Sequence, residues 1–193
     1  MASLQDLFIS RVRVKLIQAF LSRPQEIFYV RQLVRDTGEE INAVRRELVR
    51  MEKRGMAANE KRGNRLYYNF RKDYPYYSEL LRLVTKTTGL GKALIKNKNK
   101  LGKIKYAFLS SRLIRRRPHK EEHVDMVLVG EVVIPQIAAL ISRFEPEFGH
   151  EINYSAMSKD EFEFRKKRRD PFLLRVLTQS RIMVIGDEEE MVE

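Results

Sequence analysis

The sequence contains no cysteine, no tryptophan and only three histidines, His119, His123 and His150. Without cysteine, disulfides, thiolate metal sites and a cysteine nucleophile are all excluded. The histidines stand singly, too few and too scattered along the chain to suggest a zinc site. Long apolar runs are missing too: none approaches the ~20 residues that a membrane-spanning helix needs. Arg11, Arg13 and Lys15 interrupt the apolar residues near the N-terminus, which does not suit the uninterrupted core of a signal peptide. The expectation is a cytoplasmic protein with no membrane partner.

What the chain has in abundance is positive charge. Over 193 residues, 43% hydrophobic and 33% charged, lysine and arginine outnumber the acids to give a net charge of +12. The apolar content suits globular folding, and the length suits one substantial core or two small ones. The excess of positive charge favours polyanionic partners. Charge alone does not choose among DNA, RNA and an anionic surface.

From Ser10 to Leu21, Val12, Leu16, Ile17, Phe20 and Leu21 recur with the period of a helix, and Pro24 ends it. In "EIFYVRQLVRDTGEEINAVRRELVRMEKRGM" two further helices flank a turn at Thr37–Glu40, with Gly38 supplying the turn. The first uses Val30, Leu33 and Val34 as its apolar stripe. The second sets Ile41, Val44, Leu48 and Met51 inward, leaving Asn42, Ala43, Arg45, Arg46 and Val49 outward. Gly55 closes it. "MAANEKRGNRLYYNF" then alternates apolar and polar residues around Arg62-Gly63-Asn64 and reads as a hairpin.

The pattern from Val30 to about Phe70 resembles the winged helix-turn-helix of ArsR/MarR-type regulators. That resemblance implies a double-stranded DNA partner, with the second helix in the major groove and the hairpin tip on the flanking backbone. It would set Asn42, Ala43, Arg45 and Arg46 against base edges, and Lys61, Arg62, Asn64 and Arg65 against phosphates or the minor groove. Arginine and asparagine suit such contacts, because each can grip a base bidentately.

The expected organisation is α+β in three parts. Residues 1–72 form the winged helix-turn-helix, 73–100 a helical connector, and 101–193 a small mixed-sheet domain. In the connector, Tyr77, Leu80, Leu81 and Val84, then Leu90, Leu94 and Ile95, keep helical spacing, with Gly89 and Gly91 marking a break. Such a stripe serves either a homodimer or packing within its own domain. Beyond it, strand-like runs at 104–109, 124–129, 152–157 and 182–185 alternate with helical segments, the clearest at Pro135–Glu145. Ser158-Lys159-Asp160-Glu161 reads as a capping box. Asp170-Pro171 reads as an N-cap followed by proline at the first helical position.

The fragment "AFLSSRLIRRRPHKEEHVDMVLVG" resembles the minimal nucleotidyltransferase domain of the polymerase-beta-like superfamily. Members carry Gly-Ser after a strand, an arginine-containing loop, and Asp-x-Asp on the next strand. The Gly-Ser backbone admits the triphosphate, and the alternate carboxylates face one way to hold divalent ions. Here Ser111-Arg112 stands in place of Gly-Ser, His123 replaces the first aspartate, and Asp125 survives as the second. "EINYSAM" offers Asn153 and Ser155 at its centre, with Glu151 at the margin, and no clear third carboxylate. The resemblance therefore implies a degenerate site with no catalytic residues, no metal and no cofactor. Asp125 is then expected to pair with His123 or Arg112.

Three basic clusters, Lys96–Lys105, Arg112–Lys120 and "RKKRR" at Arg165–Arg169, are ordinary solvated surface, extra phosphate contacts or a pocket for an anionic ligand. The acidic stretch Asp187–Glu190 can mask one of them. The function expected is a dimeric DNA-binding transcriptional regulator. Its nucleotidyltransferase-like domain would serve ligand sensing, dimerisation or extra DNA contact. Two other readings stand beside it: a nucleotidyltransferase or antitoxin-like module that modifies or neutralises a partner protein, and an RNA-binding protein.

Overall fold

Ser10 opens the first helix, α1 (Arg11–Ser22), by accepting a hydrogen bond from the Arg13 amide on its side-chain oxygen. The computed structural model describes residues 4–6, 8–120 and 122–193. Its architecture is α+β, in two compact units, Met1–Thr88 and Gly89–Glu193.

In the first unit, α1 is followed by a two-residue strand β1 (Phe28–Tyr29), then α2 (Val30–Thr37) and α3 (Ile41–Lys53). Gly38 ends α2 at φ 63°, a left-handed conformation in which glycine carries no Cβ penalty. β2 (Ala57–Arg62) and β3 (Arg65–Phe70) form the hairpin, joined through Gly63 at φ 57° and Asn64. The antiparallel sheet runs β1-β3-β2, with Phe28 opposite Tyr68 and Ala57 opposite Phe70. α4 (Tyr77–Thr87) completes the unit. Leu16, Ile17, Phe20, Phe28, Leu33, Val44, Leu48, Met51 and Phe70 fill its core, with Phe20 edge-on to Phe28. Of the stripe expected on α2, Leu33 alone is fully buried; Val30 and Val34 are half-buried.

The segment expected as a connector is divided between the units. α4 buries Tyr77, Leu80, Leu81 and Val84 within the first unit, where it packs on α1. α5 (Gly89–Lys96) buries Leu90 and Leu94 in the second. The stripe of α4 is thus covered by its own unit and offers no free face for pairing two chains.

The second unit continues with α6 (Lys98–Leu101), β4 (Gly102–Ser110), α7 (Ser111–Ile114), β5 (Met126–Val132), α8 (Ile134–Ile141) and α9 (Glu145–Phe148). Then come β6 (Tyr154–Met157), α10 (Lys159–Lys167), α11 (Pro171–Leu177), β7 (Arg181–Ile185) and α12 (Glu188–Val192). The sheet order is β6-β5-β4-β7; β4 is antiparallel to both neighbours and β5 is parallel to β6. Alternate residues of β4 and β5 face opposite sides. Ala107, Leu109, Met126 and Leu128 join one core with Leu94, Ile137, Leu140 and Ile141. Tyr106, Phe108, Val127 and Val129 join another with Phe162, Leu173 and Val176. Both faces are covered, which is why these strands read as nearly continuous apolar runs.

Gly130 has a φ of 137° where β4 bulges between Ile104 and Tyr106, and a Cβ there would stand 2.4 Å from the Lys103 carbonyl oxygen. That position requires glycine. Ser158 caps α10 by accepting from the Glu161 amide, and Asp170 caps α11 by accepting from the Leu173 amide. The helix expected over Pro135–Glu145 is broken into α8 and α9. Pro146 lacks an amide hydrogen and its ring blocks a preceding helical turn, so it is accommodated only in the first turn of a new helix. The strand expected from Val124 begins at Met126, so Asp125 lies just before β5 rather than within it.

Candidate functional site

α3 presents two unlike faces. Val44, Glu47, Leu48 and Met51 are buried, whereas Asn42, Arg45, Arg46 and Val49 are exposed and Ala43 is half-buried. Among the described residues, neither Arg45 nor Arg46 has an intramolecular hydrogen bond or ion pair. Both guanidiniums are free to meet a ligand. At the start of the helix Glu40 accepts from the Asn42 amide at 2.8 Å and the Ala43 amide at 2.9 Å. These two bonds hold its carboxyl below the ordinary glutamate range, with Arg46 and Arg45 adding to the effect. Glu40 is a residue that the sequence pattern did not single out.

Glu47 was missed as well. Its carboxylate is buried on the inner face of α3, where Arg13 Nε of α1 donates to Oε1 at 2.5 Å and Arg50 lies 3.3 Å from Oε2. Lys15 and Arg11 reach Glu39 at 2.6 and 2.8 Å, and Lys15 also donates to the Thr37 carbonyl at 2.7 Å. The basic residues of α1 are therefore used inside the unit, fastening the α2–α3 turn and the orientation of α3.

At the hairpin, Lys61, Arg62, Asn64 and Arg65 are all exposed. They are not equivalent. Arg62 is gripped bidentately by Glu60, at 3.0 and 2.9 Å, and lies 5.6 Å from the Tyr67 ring centre. Arg65 stacks over Tyr29 at 5.4 Å, and Arg35 donates to the Tyr29 hydroxyl at 2.8 Å. Tyr29 and Tyr67 meet edge-on across β1 and β3. Tyrosine faces thus orient the hairpin arginines, and Glu60 already occupies one of them.

In the second unit, the residues matched to Gly-Ser are engaged in internal bonds. Ser111 is nearly buried; its amide donates to the Ser180 carbonyl at 2.8 Å, and its hydroxyl lies 2.9 Å from that of Ser180. Arg112 donates to the Pro118 carbonyl at 3.1 Å. Asp125 is 3% exposed, and its Oδ2 accepts from the Asn153 amide at 3.1 Å. Burial pushes its carboxyl above the ordinary aspartate range, opposed by the Asn153 amide and then by His119, His150 and His123. The expected partners were His123 or Arg112, but the ion-pair partner is His119, with Nδ1 3.7 Å from Oδ2. The loop after α7 carries His119 back to the N-terminal end of the inner strand β5, whereas Arg112 turns toward that loop's own backbone.

The chain matches no protein-family model, no curated protein and no solved structure.

The histidines, scattered in sequence, are not scattered in space. His119 and His150 stack at 3.9 Å with an interplanar angle of 20°, and with Asp125 they offer ligand atoms all within 4.8 Å of one another. These are the residues among those described that could hold a metal ion. Neither histidine's role was legible from spacing, since the loop before β5 and the link between α9 and β6 are brought together by the parallel β5–β6 pairing and by Arg116, which donates to the Glu147 carbonyl and lies over Phe148.

The basic clusters are partly spent. Arg165 pairs with Glu161 at 2.8 Å, Lys166 donates to the Met191 carbonyl, and exposed Arg168 covers exposed Phe164. Of the acidic stretch, Glu190 binds Lys105 at 2.6 Å and Glu188 lies 3.1 Å from Arg181. No described helix is long and apolar enough to cross a membrane.

Proposed function

We propose that the protein is a cytoplasmic DNA-binding regulator whose first unit reads a duplex in the manner of a winged helix-turn-helix. The observation that carries this reading is the outer face of α3, where Arg45 and Arg46 stand exposed and unpaired among the described residues while the opposite face locks onto α1. The order of a helix pair followed by a hairpin with a basic tip supports it. On this reading Asn42, Ala43, Arg45 and Arg46 meet base edges, and Lys61, Arg62, Asn64 and Arg65 meet the backbone. The second unit is then a nucleotidyltransferase-like domain without nucleotidyl transfer. The internal bonds of Ser111 and Arg112 and the lone buried carboxylate of Asp125 support that assignment. A dimer would have to use a surface other than the stripe of α4.

The two groups of basic residues should fail differently. Arg45→Ala or Arg46→Ala should flatten discrimination between a selected and a random duplex, by about 1–3 kcal/mol for a bidentate base contact. Lys61→Ala or Arg65→Ala should weaken binding to both duplexes and lower the slope of log K against log salt by about one unit. Titrations at several salt concentrations separate the two. If all four variants bind like the parent while substitutions in Arg165–Arg169 abolish binding, α3 is not the reader.

A further inference from the structure

Outside the DNA-binding reading, the second unit gathers a donor set in which Asp125 alone falls on a nucleotidyltransferase metal position, while His119 and His150 correspond to nothing in either resemblance. His119 comes from the loop after α7, Asp125 from the residue before β5, and His150 from the link between α9 and β6. Their ligand atoms lie within 4.8 Å of one another, and the His119 Nδ1–Asp125 Oδ2 distance is 3.7 Å. Bonds of about 2.0–2.2 Å in a tetrahedral site place neighbouring donors roughly 3.3–3.6 Å apart. Closing the set therefore asks for about an ångström of movement. Both imidazoles are only partly buried and can supply it by ring rotation.

Three features fit a metal better than a chance cluster. Asp125 is tied to Asn153 through both side chain and backbone: the Asn153 backbone amide donates to Oδ2 at 3.1 Å, and the Asp125 backbone amide donates to the Asn153 carbonyl at 2.7 Å. His150 Nδ1 lies 2.7 Å from the Glu151 carbonyl oxygen. That contact fixes the tautomer with hydrogen on Nδ1 and leaves the Nε2 lone pair for a ligand, the usual outer partner of a metal-bound histidine. Finally, the Asp125 carboxylate is only 3% exposed, and a bound ion would supply the compensating charge that a buried carboxylate needs.

We propose that His119, Asp125 and His150 bind one divalent ion of the borderline transition series, with zinc as the representative. Two nitrogens and one oxygen select zinc, cobalt or nickel over magnesium or calcium, which take all-oxygen sets. Three protein ligands leave at least one coordination position open. Binding requires the stacked rings of His119 and His150 to splay, so the stack is lost when the ion enters.

The test uses the full chain, free of any histidine tag and stripped with a chelator. Zinc alone is titrated by calorimetry, and cobalt alone by its visible absorption. The expected result is one ion per chain, with affinity reduced at least about tenfold by His119→Ala, His150→Ala or Asp125→Asn. Magnesium should give no signal. Because a substitution here can disturb folding, the unsubstituted protein provides the second arm. On adding zinc, its ring-nitrogen resonances should move for His119 and His150 and stay in place for His123. Absence of saturable one-to-one binding, or zinc shifts that bypass His119 and His150, overturns the proposal. So does retention of binding in the His119→Ala/His150→Ala double variant. None of these readouts involves DNA, so failure here leaves the regulator reading where it stands.

Discussion

Glu47 gives the sharpest test of how the first unit is held together. Its side chain is 3% exposed, whereas that of Arg13 is 25% exposed and that of Arg50 is 64% exposed. Removing one partner of a fully buried ion pair costs about 3–5 kcal/mol, mostly for the orphaned charge. The orphan left by Glu47→Gln is Arg13, which reaches water, so the expected cost falls to roughly 1–3 kcal/mol. Arg13→Ala leaves the buried carboxylate with only the longer Arg50 contact and should cost more, roughly 2–4 kcal/mol. Replacing both with apolar residues of similar size, Arg13→Met with Glu47→Leu, removes both charges and should return stability to within about 1 kcal/mol of the parent. Guanidinium denaturation followed by circular dichroism gives the totals, and hydrogen exchange at the amides of α1 and α3 assigns the loss to this unit. If Glu47→Gln and Arg13→Ala each stay within about 0.5 kcal/mol of the parent, the pair is incidental. If the double replacement is as damaging as the two single changes added, the orphaned-charge account is wrong.

Two further outcomes are expected. If the first unit reads DNA as proposed, Glu60, which holds Arg62 bidentately, lowers its availability, so Glu60→Gln should tighten binding to selected and random duplex alike and steepen the salt dependence; unchanged or weaker binding would mean that Arg62 does not touch the backbone. In chelator-treated protein, the raised carboxyl pKa of Asp125 means that its contribution to stability is present below its ordinary value of 3.8 and is lost as pH rises through the folded-state value. The melting temperature of Asp125→Asn should therefore gain on the parent as pH rises from about 4 through the folded-state value of Asp125. A gap that closes with rising pH contradicts this.

Much of the local structure was legible in the residues themselves. Ser158 and Asp170 cap their helices as their spacing implies, and Gly63-Asn64 turns the hairpin, because caps and tight turns depend on neighbours in sequence. Contacts that depend on distant segments were less legible. Glu47 has helical spacing to Val44 and Met51, so a carboxylate in an apolar stripe was a signal that could have been read, with Arg13 among the apolar residues of α1 as its complement. The assignment of Asp125 to His123 or Arg112 followed sequence proximity, whereas pairing of β5 with β6 brings in His150 and the returning loop brings in His119. The two-residue strand β1 carries too little pattern to be seen without β3 beside it.

The strand order of the second unit also bears on how the chain folds while it is being made. β4 takes β5 on one edge soon after synthesis, but its other edge waits for β7, the last strand of the unit. The stretch from Ser110 to Arg181 separates them, and at about 5–20 residues per second it takes roughly 4–15 s to translate. During that interval Tyr106–Leu109 is an apolar strand with one open row of amides and carbonyls, the arrangement that recruits a second chain into a sheet. Lys103 and Lys105 at its entry and the arginines beyond Ser111 at its exit place like charge at both ends of that row. A ribosome-stalled product ending before Ile182 should accordingly be the species most prone to self-association.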